Sequence, residues 1–181
     1  MKQIYLDNAS TSFPKPSCVP EAMSRFISTQ GVNINRGTYS PAYAAEEAVY
    51  DTREQLCRLF HFDDCKNVIF TQNITMSLNI VLKGFLHTGD HVLVSAMEHN
   101  AVMRPLRQLE DCGVELDRIP CNTCGELQLD ALPALLRPNT RAIVLMHASN
   151  VCGTVMPLKA VGDFCARHGL CFIVDSAQTA G

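Results

Sequence analysis

The sequence predicts an α/β fold of three layers, a mainly parallel sheet with helices on both faces. Three observations carry that expectation. Short apolar runs alternate with helical periods along most of the chain, which is the pattern of βαβ units. The last run, Leu170 to Val174, is apolar throughout, so it needs cover on both faces and strands beside it. Small and polar residues follow the runs, at the carboxyl edge where a parallel sheet receives ligands.

Taken in order, Ile4-Tyr5-Leu6 reads as a short extended piece, followed by a Ser/Thr/Pro-rich loop. Residues 1–15 are expected to form an N-terminal segment, and 16–181 part of a large α/β domain. Pro20 to Thr29 is expected as a helix because Met23, Phe26 and Ile27 share one face. A Gly/Asn-rich loop leads to Ser40-Pro41, read as N-cap and first helical residue of a long helix to Phe60. Strands are expected near 67–71, 90–94, 114–119, 141–147 and 170–174. The helices between them are expected at Met76 to Leu86, Ala101 to Cys112, Leu129 to Leu136 and Leu158 to His168.

Composition narrows the function. The 181 residues are 47% hydrophobic and 18% charged, which suits one sizeable core and excludes disorder as the resting state. A net charge of -3 offers no electrostatic reason to bind nucleic acid or an anionic membrane. No apolar stretch approaches the roughly 18 residues of a membrane span, and Met1 to Asp7 lacks the apolar region of a signal peptide. Nine cysteines without framework spacing, several inside apolar patterns, fit a reducing cytoplasm rather than a disulfide scaffold.

The candidate functional residues lie beyond the runs. Gln72-Asn73-Ile74-Thr75 precedes a helix, whose free N–H groups and positive dipole end suit a phosphate. Thr75 taken alone reads more readily as a plain N-cap. His99, in Met97-Glu98-His99-Asn100, could stack on a flat ring or be an ordinary surface residue. Asn150 offers a donor and an acceptor, in a stretch that is also a normal βα turn. Asp175 and Gln178 follow the last run, where an aspartate is often a helix cap. Four strand ends each supplying one such group point to a single ligand site more readily than four separate structural roles do.

The segments Tyr5-Leu6-Asp7-Asn8-Ala9-Ser10-Thr11, Asn35-Arg36-Gly37, Thr71-Gln72-Asn73-Ile74-Thr75, Met97-Glu98-His99-Asn100, Ala148-Ser149-Asn150-Val151-Cys152-Gly153-Thr154 and Val174-Asp175-Ser176-Ala177-Gln178-Thr179-Ala180-Gly181 resemble, in order and spacing, the motif series of the class V aminotransferases. The cysteine desulfurase and selenocysteine lyase branch is the nearest likeness. The resemblance implies the large domain of a pyridoxal-phosphate transferase. Thr75 and the N–H groups of Ile74 and Thr75 would hold the cofactor phosphate. His99 would stack on the ring and assist proton transfer. Asn150 would lie near the ring hydroxyl side and the substrate, Asp175 would pair with the ring nitrogen, and Gln178 would bond the ring oxygen. Residues 1–15 would pack near the active-site entrance or a small domain.

The implied reaction takes cysteine to alanine and leaves persulfide sulfur on the enzyme, with a sulfur-acceptor protein and a homodimer as expected partners. Another class V activity (aminotransferase, selenocysteine lyase or epimerase) and a non-catalytic truncated product stay open alternatives. The five lysines, Lys2, Lys15, Lys66, Lys83 and Lys159, do not match the family's Schiff-base position. That lysine, the nucleophilic cysteine and the small domain are therefore expected beyond the given sequence, and this stretch alone is expected to be inactive. No metal site is expected. Cys121-Asn122-Thr123-Cys124 has no second pair, and Pro120 and Gly125 around it favour a turn over a metal or redox motif.

Overall fold

The computed structural model describes residues 4–180. Two compact units divide the chain, one ending at Phe70 and the other starting at Thr71.

The first unit carries two helices, α1 (Cys18–Thr29) and α2 (Ser40–Phe60). Helix α1 begins two residues before the expected Pro20. Its apolar face stays open, with Met23 60% and Ile27 72% exposed. In α2 the N-cap is Tyr39, so Ser40 is already helical and Pro41 lies inside the first turn, where a missing N–H costs nothing. The helix stops at His61, whose left-handed backbone (φ 52°) lets Phe62 N–H reach back to Cys57 O. The expected extended piece at Ile4 to Leu6 is not a strand, and Ile4 and Leu6 are exposed.

The expectation of a strand at 67–71 is corrected. Cys65–Asn67 is a short 3-10 turn, and the residues after it run extended without joining a sheet. The run has the apolar content of a strand, but a strand exists only through a ladder, and no described strand lies beside it. Ile69 is accordingly 71% exposed.

The second unit is the α/β body: α3 (Ile74–Phe85), β1 (His91–Ser95), α4 (Asn100–Glu110), β2 (Glu115–Ile119), α5 (Leu132–Leu135), β3 (Thr140–Met146), α6 (Leu158–His168) and β4 (Cys171–Asp175). The four strands form one parallel sheet in the order β2-β1-β3-β4. Alternation along each strand divides the core. Val92, Val94, Ala142 and Val144 face α3 and α4, against Leu78, Leu82, Val102 and Leu106. Leu93, Ile143 and Leu145 face the other way, against Leu132, Val161, Phe164 and Cys165. This is the expected three-layer arrangement, with four strands in place of five. The helix expected at 129–136 is shorter, a 3-10 turn at Leu129–Ala131 running into α5, with Pro133 in its first turn.

The amino edge of the sheet is charged. His91 is fully buried at the start of β1. Its Nδ1 lies 2.8 Å from Thr140 Oγ1, and its Nε2 lies 3.3 Å from the Asp117 carboxylate. Arg137 bridges Asp117 and Glu115 on β2. Burial, and next the Arg137 charge, push the His91 pKa down, against the pull of Asp117 and Glu115.

Candidate active site

Two helix starts frame a cleft at the carboxyl edge. Helix α3 begins at Ile74, two residues earlier than expected, because Asn73 is its cap: Asn73 Oδ1 accepts the Met76 N–H at 2.9 Å. Thr75 is therefore not the cap. The N–H groups of Ile74 and Thr75 belong to the first turn and have no acceptor within the helix. Thr71 steadies the approach, its Oγ1 2.6 Å from Ser77 Oγ and donating to Asn73 O at 3.0 Å.

His99 caps α4, its Nδ1 accepting the Ala101 N–H at 3.1 Å. An Nδ1 that accepts places the hydrogen of the neutral ring on Nε2. Between the two helix starts lies a cleft of about 280 Å³, lined by Thr75, Asn79, His99, Asn100, Arg104 and Gln108 among others.

The neighbouring strand ends add two acids. Asp175 closes β4 beside Met146 of β3, and it is buried at 6% exposure. Its Oδ1 accepts the Ala177 N–H at 3.0 Å, and among the described residues it has no ion pair with a Lys, Arg or His. Glu98, which the sequence reading passed over, reaches from the end of β1 to β3. It accepts Ser95 Oγ–H at 2.5 Å and the Met146 N–H at 3.0 Å. Burial raises its pKa to about 7, the nearby Asp175 adds to the rise, and the bonds from Ser95 and Met146 oppose it. Glu98 lies three residues beyond the end of β1 with His99 and Asn100 after it, so hydropathy marks it as surface. Its position one residue before His99 was the available signal.

Asn150 lies exposed in the turn after β3, a turn closed by Ser149 N–H to Thr154 O and Gly153 N–H to Ser149 O. Gly153 takes φ 73° there, which a side chain would disfavour. Gln178 lies exposed in the turn after β4, and His147 Nδ1 to Thr179 Oγ1 at 2.8 Å ties that turn to the end of β3. Of the six expected residues, Thr75 and His99 line the cleft between the two helix starts, and Ile74 opens α3 beside Thr75. Asn150, Asp175 and Gln178 lie at neighbouring strand ends of the same edge and do not line the 280 Å³ cleft.

This donor set fits a phosphorylated heteroaromatic cation: unpaired helical N–H groups for an anion, and a buried acid without a cationic partner for a protonated ring. The sequence profile described as Aminotransferase class-V matches residues 4–181. The chain belongs to the class V aminotransferase family. A probable cysteine desulfurase of Vibrio cholerae is 34% identical over 180 residues, which are 97% of this chain and 44% of that protein. Among solved structures, the apo cysteine desulfurase of Thermococcus onnurineus NA1 superposes with a TM-score of 0.90 at 26% identity, covering 98% of this chain and 44% of that one. SspA in complex with cysteine gives 0.88 at 26% identity, covering 97% and 51%. This class V aminotransferase chain thus spans about half the length of the relatives it matches. Their shared fold agrees with the four-stranded parallel sheet and its helical layers.

Proposed function

We propose that this chain supplies the cofactor-holding edge of a pyridoxal-phosphate-dependent cysteine desulfurase. The observation that carries the reading is Asp175, a buried acid at a strand end with one backbone donor and no cationic partner among the described residues. The class V family and its cysteine desulfurase members are in general pyridoxal-phosphate enzymes, and a structural relative binds cysteine. When its ring is protonated, the cofactor provides an electron sink for the substrate's Cα.

The chain's own residues have separable roles in this reading. The N–H groups of Ile74 and Thr75, with Thr75 Oγ1, bind the phosphate at the positive end of α3. The His99 ring, held by its bond to Ala101, presents a flat face to the cofactor and Nε2 for proton movement near the substrate. Asp175 keeps a proton on the ring nitrogen, because burial makes its charge costly without a cation. Asn150 and Gln178 donate to ring oxygens. The reading extends to cysteine as substrate, a protein as sulfur acceptor, a homodimer and the cytoplasm. Among the described residues no helix is long and apolar enough to cross a membrane.

Equilibrium dialysis of the purified chain against pyridoxamine phosphate tests the site without reaction at surface amines. Binding is expected, weakened about tenfold or more by Asp175→Ala, the scale of one lost charge-assisted contact. Thr75→Ala is expected to weaken it less, and inorganic phosphate to compete. Equal affinity in wild type and Asp175→Ala would reject the assignment.

A further inference from the structure

The cleft between the starts of α3 and α4 is walled by two polar stripes. On α4 the stripe is Asn100, Arg104 and Gln108, and on α3 it is Thr75 and Asn79, with four residues from each member to the next. Other positions of the same helices are apolar: Leu78 and Leu82 of α3 join Val102 and Leu106 of α4 in one buried cluster. That packing holds the two stripes side by side. Asn79 Nδ2 donates to Thr75 O at 2.9 Å, so the α3 stripe is also tied along its length.

The lining has one sign. Among the described residues, none of those lining the cleft is acidic. Arg104 supplies a permanent positive charge, since a guanidinium stays protonated in proteins. Its neighbour Arg107 is held by Glu110 at 3.0 Å, whereas the Arg104 guanidinium has no ion pair or hydrogen bond among the described residues. The backbone adds to the same sign. In α4 the Ala101 N–H goes to His99 Nδ1, and the Val102 and Met103 N–H groups go to His99 O. The Asn100 N–H is left unused, as the Thr75 N–H is in α3. Each helix start contributes about half a positive charge. A phosphate monoester carries about two negative charges at neutral pH. The two helix starts therefore offset about half of that charge, and one guanidinium supplies the rest.

We propose that Arg104 is the residue by which this cleft selects a phosphate monoester, its guanidinium pairing with the phosphate that the start of α3 receives. That the phosphate is the cofactor's rests on the reading above; the anion itself is inferred from the cleft alone. A guanidinium offers two parallel N–H groups to two phosphate oxygens, and no carboxylate in the lining competes for it. Asn100 and Gln108, one turn to either side on the same stripe, add amide donors. A dephosphorylated ring leaves Arg104 without an anion, so the residue favours the phosphorylated form alone. Arg104 is exposed, and removing its charge disturbs no buried packing.

Equilibrium dialysis of the full chain against pyridoxamine phosphate, pyridoxamine and inorganic phosphate tests the pairing, with Arg107→Gln as the control for a general change in charge. Arg104→Gln is expected to weaken pyridoxamine phosphate and inorganic phosphate about tenfold or more and to leave pyridoxamine unchanged. Arg107→Gln is expected to change none of the three. Added salt is expected to weaken pyridoxamine phosphate binding more steeply in wild type than in Arg104→Gln. Wild-type affinity for both phosphate ligands in Arg104→Gln, or an equal loss in Arg107→Gln, overturns the proposal. If Asp175→Ala still weakens pyridoxamine phosphate in that case, the cofactor reading survives it. Phosphate binding that depends on Arg104, with no preference for pyridoxamine phosphate over inorganic phosphate, supports the anion site and rejects the cofactor reading. A wild-type chain that binds none of the three overturns both.

Discussion

Half-buried Glu98 and fully buried His91 are titratable groups at opposite edges of one sheet, and they make opposite demands on pH. Glu98 has a folded pKa raised to about 7 from 4.5. Its folded form therefore holds a proton that the unfolded chain releases, and stability drawn from it is lost as pH rises from about 4.5 through about 7. His91 has a depressed folded pKa, so its contribution is present above the ordinary value of 6.5 and is lost as pH falls through the lowered one. Chemical denaturation across pH is expected to show a fall in stability toward neutral pH that Glu98→Gln removes. An unchanged profile in that variant would mean that Glu98 ionises at an ordinary carboxylate pH. At this scale the sequence displayed the polar groups that sit beside apolar runs and hid the one defined by a distant contact. His99 and Asp175 were legible as polar residues next to apolar runs. Glu98 was not, because nothing in a polar neighbour sequence reveals that a backbone N–H of a distant strand will receive the side chain.

Helix α3 depends on its start. Asn73→Ala removes the cap on the Met76 N–H and is expected to cost about 1 kcal/mol, or roughly 2–4 °C in Tm. Differential scanning calorimetry measures it. The same variant is expected to weaken pyridoxamine phosphate binding, since a frayed first turn no longer aims the Ile74 and Thr75 N–H groups together. The other end of α3's packing gives a contrast: Leu82→Ala, at a fully buried position, is expected to cost about 2–5 kcal/mol. Elements were legible where local pattern suffices. The runs at β1, β2, β3 and β4 fall within one or two residues of expectation. The run at 67–71 has equal apolar content and fails as a strand, because a ladder partner is a property of the fold and not of the run. The start of α3 was misjudged by two residues, since helical periodicity outweighed an Asn that is a strong cap.

Across the α/β body, the groups proposed to hold the cofactor have no lysine amine bonded to them among the described residues. The body's two lysines are Lys83, in the last turn of α3, and Lys159, whose Nζ bonds Asp163 at 2.7 Å. The 181-residue chain is therefore expected to give no stoichiometric, site-specific lysine adduct after borohydride treatment with pyridoxal phosphate, and no sulfide from cysteine. Mass analysis and a sulfide assay check both, and a single fully labelled lysine would refute it. The sheet order has a bearing on synthesis as well. β1 lies between β2 and β3, and β4 adds outside β3, so each strand leaving the ribosome after the first docks onto a margin already formed. Among these four strands none has to open the sheet to admit a later one, so their assembly can keep pace with translation. β1 becomes a central strand once β3 arrives, and its amides are expected to be shielded from solvent exchange while those of β4 still await a place at the rim.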